Sequence, residues 1–356
     1  MTLATTLLAS PWLRPLNDVD AIDDLLSVVH PTWALGRIKA RVQRVIPETA
    51  DVKTFLLRAN RRWPGFTAGQ HVGVAVEVDG VRCERRYSVS SAPDGGRTLS
   101  VTVKRQPGGR VSSWLHGRIV AGDVVELTAP AGDFCLPNPL PPSILMLSAG
   151  SGITPLMSML RALAAADAPT TVRFVHVTRD RGATIFGDEL RALAASSRRL
   201  ELHVHDSTKD GRFDGAALAR YAPDWAERVT FLCGPAGFMD ARRTEWNAAG
   251  AEARLHAESF GGGRTVAAAD EATAEVRCAK SERLFTTDGS TSLLVAAERA
   301  GLRPKYGCRM GVCHTCTCVL RSGAVENLRT GEIVREPGAR VQLCIGRARG
   351  DVTLDL

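Results

Sequence analysis

The tightest constraint on the fold of this chain is a group of four cysteines in one short segment. Residues 306–320 read YGCRMGVCHTCTCVL and contain Cys308, Cys313, Cys316 and Cys318, in a chain of 356 residues with nine cysteines. Thiols this close in sequence serve as disulfide halves, zinc ligands, haem attachment points or iron–sulfur ligands. Because nine is an odd number, a full disulfide framework fits the sequence poorly. The segment therefore favours a bound metal or cluster.

The spacing of the cysteines selects among these uses. Cys308-x4-Cys313-x2-Cys316 is followed by Cys344 after 27 intervening residues, and C-x4-C-x2-C…C is the ligand pattern of plant-type 2Fe–2S domains. Two bridged irons need four thiolates, three from one tight loop and one from a returning strand. Gly311 is expected to let this loop curl, so that backbone N–H groups face the sulfurs. The sequence predicts a 2Fe–2S cluster on these four cysteines.

Other metal chemistries fit this segment less well. A c-type haem site requires C-x-x-C-H, but Thr317 follows Cys316. A zinc ribbon normally has two C-x-x-C knuckles, and only one is present in this segment, so zinc stays as an alternative. Cys318 and Cys278 lie outside the pattern and are predicted to be small buried hydrophobes. His314 lies between the ligands and is predicted to be exposed.

Composition and charge narrow the class of protein. Hydrophobic residues make up 44% of the chain, which is typical of a globular protein. No apolar run approaches the ~18 residues of a membrane-spanning helix, and the N-terminus lacks the basic region of a signal peptide. We therefore expect a cytoplasmic, reducing location. The net charge is +7, but acidic and basic residues interleave, so an acidic partner or a phosphate-rich cofactor is expected rather than nucleic acid.

Two large domains follow from a change in sequence pattern. Residues 35–138 form six short β-rich runs separated by turn signals, which predicts an antiparallel β-barrel. A Pro-rich hinge, LPNPLPPS, covers residues 136–143. Apolar strands and helices then alternate across residues 139–262, and this alternation predicts a doubly wound parallel sheet.

Three shorter segments complete the predicted organisation. Residues 1–34 form an N-terminal extension whose pattern DVDAIDDLLSVVH predicts a helix that ends before Pro31. A Gly/Ala-rich linker covers residues 263–274. Residues 275–356 form a small α+β unit around the cysteines. The predicted fold class is therefore multidomain, with an antiparallel barrel, a doubly wound α/β domain and an α+β domain.

A first family resemblance lies in ERRYSVSSAP, residues 84–93. Arg85, Tyr87 and Ser88 resemble the R-x-Y-S/T motif of the ferredoxin–NADP reductase superfamily. The resemblance implies that Tyr87 stacks on the isoalloxazine ring of a flavin and that Ser88 lies near flavin N5, where hydride arrives. It also implies that Arg85 holds a flavin phosphate, since guanidinium groups pair well with phosphate.

A second flavin segment is VKRQPGGRVSSWLH, residues 103–116. It places glycines and hydroxyls before a predicted helix, whose N-terminal N–H groups and dipole attract anions. In the same superfamily this segment binds the flavin pyrophosphate. The segment APAGDFCLP resembles the family's G-x-F turn and implies that Phe134 lies near adenine, which favours FAD over FMN. The pyrophosphate-segment residues implied in flavin binding are Val103, Gly109, Val111, Ser112 and Ser113.

The nicotinamide site is predicted from a glycine-rich turn after an apolar strand. LMLSAGSGITPLMSML contains Gly150, Gly152, Thr154 and Pro155, and such a turn lets the backbone approach a pyrophosphate. Pro155 replaces the third glycine of the usual dinucleotide fingerprint. That replacement resembles the same reductase superfamily.

Two further segments carry the resemblance across this domain. FLCGPAGFM resembles the C-G-P-x-x-M marker and implies that Cys233 lies beside the nicotinamide, with Gly234 and Pro235 shaping the loop. HAESFG places Glu258 and Phe260 where the family ends its reductase module, against the far face of the flavin. Ser88, Cys233 and Glu258 are therefore the predicted catalytic residues.

The choice between NADPH and NADH depends on the edge of the parallel sheet. A 2′-phosphate needs cations and a free 2′-hydroxyl needs an acid. Arg179, Arg181, Lys209 and Arg212 follow the second and third strands of this sheet and favour NADPH. Asp206 lies on the same edge and favours NADH.

The order of the modules implies a function. CRMGVCHTCTCVLRSG…VQLCIG resembles plant-type ferredoxin domains with a β-grasp fold, and residues 36–356 resemble the phthalate dioxygenase reductase arrangement. The resemblance implies that electrons pass from NAD(P)H through FAD and a 2Fe–2S cluster to a separate oxygenase. Candidate acceptors, soluble or membrane-bound, are a fatty-acyl desaturase, a haem-thiolate monooxygenase and a Rieske oxygenase. LRANRRWPGF and the FAD-type motifs resemble reductases that serve acyl desaturases. The alternatives are a flavin-containing redox sensor and a zinc-bearing reductase.

Overall fold

The computed structural model describes residues 19–78, 81–259, 273–287, 291–307, 311, 314–328 and 331–356 of the chain. Contacts divide the chain into two compact units. The first contains residues 1–79 and 86–260, and the second contains residues 80–85 and 261–356. Within the described ranges, no helix has the length and apolar character needed to cross a membrane.

The chain enters the first unit through helix α1 (Val19–Val29), which confirms the predicted N-terminal helix. The helix ends before Pro31, because proline cannot continue the helical hydrogen-bond pattern. The buried carboxylate of Asp23 accepts the backbone N–H groups of residues 35–37, with distances of 3.1 Å for Gly36 and 2.9 Å for Arg37. These bonds fasten α1 to the segment that leads into the barrel.

The barrel is a six-stranded sheet with strand order β4-β3-β6-β1-β2-β5. Its strands are β1 (Ile38–Thr49), β2 (Val52–Ala59), β3 (His71–Val78), β4 (Val81–Ser88), β5 (Thr98–Lys104) and β6 (Val124–Leu127). An antiparallel bridge between Val89 and Val101 joins the end of one edge strand to the other edge strand. Closure leaves no free edges, and the predicted antiparallel barrel is confirmed. Helix α2 (Arg110–Arg118) follows β5.

One barrel strand differs from its predicted position. The sequence pattern predicts a strand over RYSVSS, residues 86–91, whereas β4 covers Val81–Ser88. After Ser88, Val89 donates its N–H to the carbonyl of Gln70 at 2.9 Å and forms an isolated bridge with Val101. As a result, the R-x-Y-S motif stands at the end of a strand rather than at its start.

The second half of the first unit is a five-stranded parallel sheet with strand order β11-β10-β7-β8-β9. Its strands are β7 (Ser143–Ala149), β8 (Thr171–Thr178), β9 (Leu200–Asp206), β10 (Val229–Cys233) and β11 (Leu255–Glu258). The helices between them are α3 (Ile153–Ala165), α4 (Gly187–Ser196), α5 (Gly215–Tyr221) and α6 (Ala236–Ala248). The predicted doubly wound sheet is confirmed.

The central strand of this sheet is buried on both faces. Ile144 and Met146 pack into a cluster with Leu156 of α3, whereas Leu145 and Leu147 pack into a separate cluster on the other face. A strand covered on both faces needs a continuous apolar run, which is why SILMLSA lacks the alternation of the barrel strands.

The second unit contains a five-stranded sheet, a three-stranded sheet and one helix among its described residues. The larger sheet has the order β13-β12-β19-β14-β17, with β12 (Ala274–Cys278), β13 (Leu284–Thr287), β14 (Thr317–Ser322), β17 (Arg340–Gln342) and β19 (Val352–Leu354). The smaller sheet has the order β16-β15-β18, with β15 (Val325–Asn327), β16 (Ile333–Val334) and β18 (Gly346–Ala348). Helix α7 (Leu293–Arg299) is capped by the Ser292 hydroxyl. This is the predicted α+β ferredoxin domain.

Candidate flavin, nucleotide and cluster sites

The R-x-Y-S motif delivers Ser88 to a buried position at the end of β4. Ser88 is 2% exposed, and its hydroxyl has no hydrogen-bond partner among the residues that the structure describes. Burying an unpaired hydroxyl costs about 1–3 kcal/mol, so such groups in native proteins usually meet a ligand or water. The Ser88 hydroxyl therefore suits the flavin contact that the sequence predicts. Tyr87, on the same strand end, is partly exposed.

Arg85, the first residue of that motif, belongs to the second unit. Within that unit its guanidinium donates to the carbonyl oxygens of Glu84 and Gly307, both at 2.7 Å. Main-chain acceptors thus hold at least part of the guanidinium. Its contact with a flavin phosphate stays a prediction.

The segment predicted to bind pyrophosphate forms the N-terminus of α2. Gly109 is the N-cap and supplies no side-chain cap, so the first helical N–H groups are available to an anion. Ser112 has a different use, since its Oγ accepts the Gln106 N–H at 3.1 Å and donates to the Gly109 carbonyl at 3.3 Å. A Cβ on Gly109 would lie 2.5 Å from this oxygen. The Ser112 hydroxyl closes the loop, and the exposed Ser113 lies beside the anion site.

Three other predicted flavin residues are core side chains. Val103 and Val111 are 0% and 1% exposed and support the barrel wall and the first turn of α2. Phe134 is also buried, and its ring packs edge-on against Phe231 of β10 with centroids 5.5 Å apart. Phe134 therefore helps to join the barrel to the parallel sheet. Its contact with adenine stays a prediction.

The two nucleotide-binding glycine motifs pack directly against each other. Gly150 has φ of +53° and begins a tight turn that ends at Gly152. A Cβ on Gly152 would lie 2.2 Å from the carbonyl oxygen of Cys233, and a Cβ on Gly234 would lie 3.1 Å from Cβ of Ala149. Glycine at both positions therefore lets the ends of β7 and β10 approach closely. This is the point where the strand order reverses, the usual ligand crevice of such sheets.

The residues that follow each turn start a helix. Thr154, which is 3% exposed, donates its hydroxyl to the Ser151 carbonyl at 3.1 Å in the first turn of α3. Pro155 also lies in that first turn. Backbone N–H groups there have no acceptor within the helix, so the missing N–H of proline costs no helical hydrogen bond. Pro235 is the N-cap residue of α6. Both helices therefore begin at the crevice, and in α3 the N–H of Ile153 donates to the carbonyls of Gly150 and Ser151.

Cys233 ends β10 and is fully buried. Burial raises the pKa of its thiol well above the ordinary value, and the nearby Glu258 carboxylate raises it further. The group is therefore a neutral thiol at physiological pH, which excludes a role as a thiolate nucleophile. A small, polarisable and uncharged surface beside the nicotinamide is consistent with the predicted position.

Glu258 pairs in register with Cys233 and meets a residue that the sequence analysis missed. His71, the first residue of β3, places Nδ1 3.5 Å from Oε1 of Glu258. Within the described ranges of the chain, the second ring nitrogen of His71 and the second oxygen of Glu258 are buried without a hydrogen-bond partner. Gly132 makes room, because a Cβ there would lie 2.9 Å from the ring. Two orphaned polar atoms therefore converge where the barrel meets the end of the parallel sheet.

The sequence contained one weak signal for this histidine. His71 follows Gly69 and Gln70 and is the first residue of a strand whose next residues are apolar. A polar side chain in that first position is expected at the end of the strand. Its N–H donates to the carbonyl of Ala131 at 3.0 Å, which places it beside Gly132. Since Ala131 is distant in sequence, only the fold reveals the pair with Glu258.

The sheet edge that selects the nucleotide contains one buried acid and several cations. Asp206 is 1% exposed, and its carboxylate accepts the backbone N–H groups of Arg181, Thr208 and Lys209. Burial raises the pKa of Asp206, but these N–H groups outweigh it, and the net pKa is lowered. The carboxylate is thus used by its own loop and is poorly placed to accept a ribose hydroxyl.

The cations on the same edge divide into paired and unpaired groups. Arg181 forms an ion pair with Asp210 at 2.9 Å, and Lys209 lies 4.0 Å from Asp206. Arg179 and Arg212 are exposed and have no carboxylate partner among the described residues. These two guanidinium groups are therefore available to a 2′-phosphate.

The described part of the cluster site contains two of the four predicted ligands. Cys344 donates its N–H to the sulfur of Cys316 at 3.4 Å, and Gly311 donates its N–H to the sulfur of Cys344 at 3.2 Å. This confirms the predicted approach of a loop N–H to a sulfur. Cys308 and Cys313, and Phe260 of the reductase module, lie outside the described residues.

The environment of Cys316 favours a thiolate. The Cys344 thiol and nearby backbone N–H groups lower the pKa of Cys316 to about 6, against the opposing effect of burial. A coordinating thiol must be deprotonated, so this donor set fits an iron–sulfur cluster. Gly311 has φ of +75°, and a Cβ there would lie 2.3 Å from Ile345, so the tight loop requires glycine.

The cysteines outside the ligand pattern behave differently. Burial, followed by the charge of Cys316, raises the pKa of Cys318 to about 12. Cys278 is fully buried in β12, as predicted, and His314 is exposed, as predicted. Cys318 is a half-buried neutral thiol beside the ligands.

Comparison with known families matches each of the three domains. Residues 39–135 match the oxidoreductase FAD-binding domain, residues 146–244 match the oxidoreductase NAD-binding domain, and residues 276–347 match the 2Fe-2S iron-sulfur cluster binding domain. The cofactors expected from the motifs are therefore FAD, a nicotinamide nucleotide and a 2Fe–2S cluster.

Whole-chain relatives have the same architecture. An NADPH oxidoreductase of Mycobacterium tuberculosis is 40% identical over 94% of this chain and 88% of its own. The glycine betaine monooxygenase reductase subunit of Pseudomonas aeruginosa is 33% identical over 92% of this chain and 98% of its own. Among solved structures, phthalate dioxygenase reductase is 27% identical, with a TM-score of 0.62, and the match covers 90% of this chain and 98% of that chain.

These matches account for the arrangement of the sites. The glycine turns at the strand-order reversal, the buried Ser88 hydroxyl of the barrel and the cysteines Cys316 and Cys344 occur together in one chain. The chain belongs to the ferredoxin–NADP reductase superfamily, as an electron-transfer oxidoreductase of the oxygenase-reductase type with a C-terminal plant-type 2Fe–2S ferredoxin domain.

Proposed function

We propose that this reductase uses NADPH as its electron donor and supplies a separate cytoplasmic or membrane-bound oxygenase. The observation that supports the proposal is the packing of Gly152 against Cys233 beside Glu258, at the crevice where the strand order reverses and where such sheets bind dinucleotides. A redox sensor would not need that crevice. When bound, FAD accepts hydride and the 2Fe–2S cluster exchanges single electrons, chemistry that protein side chains lack.

The side chains have proposed roles in this crevice. The Ser88 hydroxyl orients the flavin by a hydrogen bond, and the neutral thiol of Cys233 positions the nicotinamide. Glu258 holds or releases a proton at its unpaired carboxylate oxygen. N–H groups at the start of α2 and α3 bind phosphates. Cys308, Cys313, Cys316 and Cys344 hold the cluster.

The proposed preference for NADPH rests on the sheet edge. Asp206 is held by backbone N–H groups, so the acid that favoured NADH is already engaged. Arg179 and Arg212 remain for the 2′-phosphate. The printed name of the M. tuberculosis relative, NADPH oxidoreductase, supports the same preference.

The nucleotide preference is tested by charge removal. Arg179→Ser combined with Arg212→Ser is expected to raise the KM for NADPH about tenfold or more and to leave the KM for NADH unchanged. Arg191→Ser is the matched control, since Arg191 is an exposed arginine of the same domain that pairs with Asp188. Equal effects of the double variant on both nucleotides would contradict the assignment.

The acceptor is proposed from relatives and from the N-terminal sequence. Relatives named as reductase components serve a glycine betaine monooxygenase and a 3-ketosteroid-9-alpha-monooxygenase. The candidates remain a fatty-acyl desaturase, a haem-thiolate monooxygenase and a Rieske oxygenase. Reconstitution of turnover with each acceptor and NADPH would distinguish them, and negligible cytochrome c reduction would favour the sensor.

Delivery through the cluster has its own test. Cys344→Ser is expected to abolish cytochrome c reduction and to lower the iron content from about two per chain, while NADPH still bleaches the flavin. Cys318→Ser is the matched control, because Cys318 lies in β14, two residues after Cys316, but outside the ligand pattern. A yellow, iron-free protein that reduces its acceptor at the wild-type rate would refute the proposal.

Location and domain boundaries are proposed on simpler grounds. All seven described cysteines are free, which is consistent with a reducing, cytoplasmic location. We retain boundaries at residues 34/35, 138/139, 262/263 and 274/275 as a proposal, with the barrel and the parallel sheet acting together as one compact unit.

A further inference from the structure

The N-terminal helix α1 has its polar and apolar faces in an unusual orientation. The side chain of Asp23 is fully buried, whereas Leu25, Val28 and Val29 are 68%, 83% and 70% exposed. A surface helix of a globular protein normally turns its apolar side chains inward and its charges outward. In α1 an ionised carboxylate takes a fully buried position beside the partly buried Ile22 and Leu26, while Leu25, Val28 and Val29 face solvent.

The buried aspartate helps to fix this orientation. Asp23 accepts three backbone N–H groups from Leu35, Gly36 and Arg37. Burial raises the pKa of Asp23, but these N–H groups outweigh it and the net pKa is lowered. Asp24 pairs with Arg37 at 2.8 Å and adds a second attachment. The helix is therefore held with its aliphatic face outward.

The exposed apolar surface continues beyond the helix. Trp33 and Leu35 are 53% and 47% exposed. Of the nine large hydrophobic residues that are exposed in the described ranges, five lie within residues 25–35. A concentration of this kind is rare on a monomeric soluble protein and marks an interaction surface. We name residues 25–35 the apolar belt.

A cleft of about 570 Å³ borders the apolar belt and is rimmed by arginines. Trp33 and Leu35 line one side, and Arg58, Arg61 and Arg97 line the other. These three guanidinium groups have no carboxylate partner in the parts of the chain that the structure describes. None of the described residues that line this cleft is acidic. The electrostatic potential in the cleft is therefore positive.

We propose that the apolar belt and its arginine rim dock on an anionic lipid bilayer. Aliphatic side chains and a tryptophan on an amphipathic helix insert at the headgroup boundary, and arginines beside them bind lipid phosphates. Exposed aliphatic side chains on α1 and arginines in the adjoining cleft match the two layers of an anionic bilayer, its acyl chains and its phosphates. The chain is thus peripheral, which agrees with the lack of a membrane-spanning helix among its described residues.

The test is co-sedimentation of the full-length holoprotein with lipid vesicles. Vesicles of equal parts phosphatidylglycerol and phosphatidylcholine are compared with pure phosphatidylcholine vesicles at low and high salt. We expect binding to the anionic vesicles that weakens with salt. Arg58→Ser with Arg61→Ser is expected to weaken it about 25-fold, since each arginine near an anionic surface contributes about fivefold.

The contribution of the aliphatic side chains is tested by the triple variant Leu25→Ser, Val28→Ser and Val29→Ser. This variant is expected to bind anionic vesicles at least tenfold more weakly. The reason is that burial of a single CH₂ group is worth about 0.8 kcal/mol, or roughly fourfold in affinity. The control is Leu284→Ser with Ile333→Ser, two exposed apolar residues of the second unit that lie outside the belt. Flavin absorbance and the unfolding temperature confirm that each variant folds.

Several outcomes would overturn the proposal. The bilayer is excluded if wild-type protein fails to bind anionic vesicles or if the triple variant binds them equally well. Salt-independent binding to pure phosphatidylcholine would remove the role of the arginines. Loss of acceptor reduction in the triple variant, with no vesicle binding by the wild type, would assign the belt to a protein partner instead.

Discussion

Replacing Gly152 by alanine tests how the nucleotide crevice is built. The added Cβ would lie 2.2 Å from the carbonyl oxygen of Cys233, 2.4 Å from its carbonyl carbon and 2.7 Å from the nitrogen of Gly234. All three atoms are backbone, so a side-chain rotation cannot relieve the clash. Ordinary contact begins near 3.4 Å, and the ends of β7 and β10 must therefore separate by about 1.2 Å.

That separation has a predictable size in two measurements. Overpacking of this kind costs about 1–3 kcal/mol, which corresponds to a decrease of roughly 2–10 °C in unfolding temperature for a unit of this length. A displacement near 1 Å at a reaction centre lowers the rate about 100-fold. We expect NADPH to reduce the flavin about 100-fold more slowly in Gly152→Ala, while flavin content stays close to that of the wild type.

The assay is anaerobic stopped-flow reduction of the flavin by NADPH, with thermal unfolding measured on the same samples. Gly117→Ala is the matched control, since Gly117 lies in α2 and an added Cβ would meet nothing within 4 Å. Alanine there favours the helix and is expected to leave both measurements unchanged or slightly improved. A Gly152→Ala protein with wild-type hydride transfer would refute the close packing of the two glycine motifs.

The remaining predictions concern pH, the second unit and the histidine of the crevice. Burial lowers the pKa of His176 to about 4, so the folded state resists protonation. The contribution of His176 to the free energy of unfolding is therefore fully present above pH 6.5, near the pKa of histidine in the unfolded chain. It is lost as the pH falls toward 4, by about 3 kcal/mol in total. Chemical denaturation of His176→Gln at several pH values should lack that decline, and a parallel decline in both proteins would contradict the assignment. Glu326 is buried and accepts a hydrogen bond from Arg347 at 2.8 Å, so Glu326→Ala should lower the stability of the second unit by about 3–5 kcal/mol. A loss below about 1 kcal/mol in a denaturant titration would show that the pair is not effectively buried. His71→Gln should lower kcat/KM for NADPH roughly tenfold through misplacement of Glu258, with an unchanged unfolding temperature, whereas a lower unfolding temperature with normal kinetics would indicate a purely structural histidine.

Much of the architecture follows from local patterns. The strand runs VKTFLLRA and HVGVAVEV coincide with β2 and β3, because alternation of apolar and polar residues is a local property of a half-buried strand. The all-apolar SILMLSA coincides with β7 for the complementary reason that both of its faces are covered. The strand predicted over RYSVSS was placed too late in the chain, since β4 covers Val81–Ser88.

The candidate site residues also form two groups, those that the local sequence predicts and those that depend on the fold. Gly152 and Gly234 could be predicted as site residues because close backbone approach requires glycine wherever it occurs. The loop-closing role of Ser112 and the core position of Phe134 could not be predicted, since each depends on a partner supplied by folding. The same holds for His71, whose partner Glu258 lies in another domain of the chain.

The sequence by itself determined the three modules, the cysteine ligand set and the glycine turns, because each is encoded by residue type and spacing along a short stretch of chain. Only the tertiary structure decided that Asp206 is engaged by backbone N–H groups, that His71 meets Glu258 and that α1 turns its aliphatic face outward. Hydrogen bonds and burial link residues that are far apart in sequence, so their outcome exists only after the chain has folded.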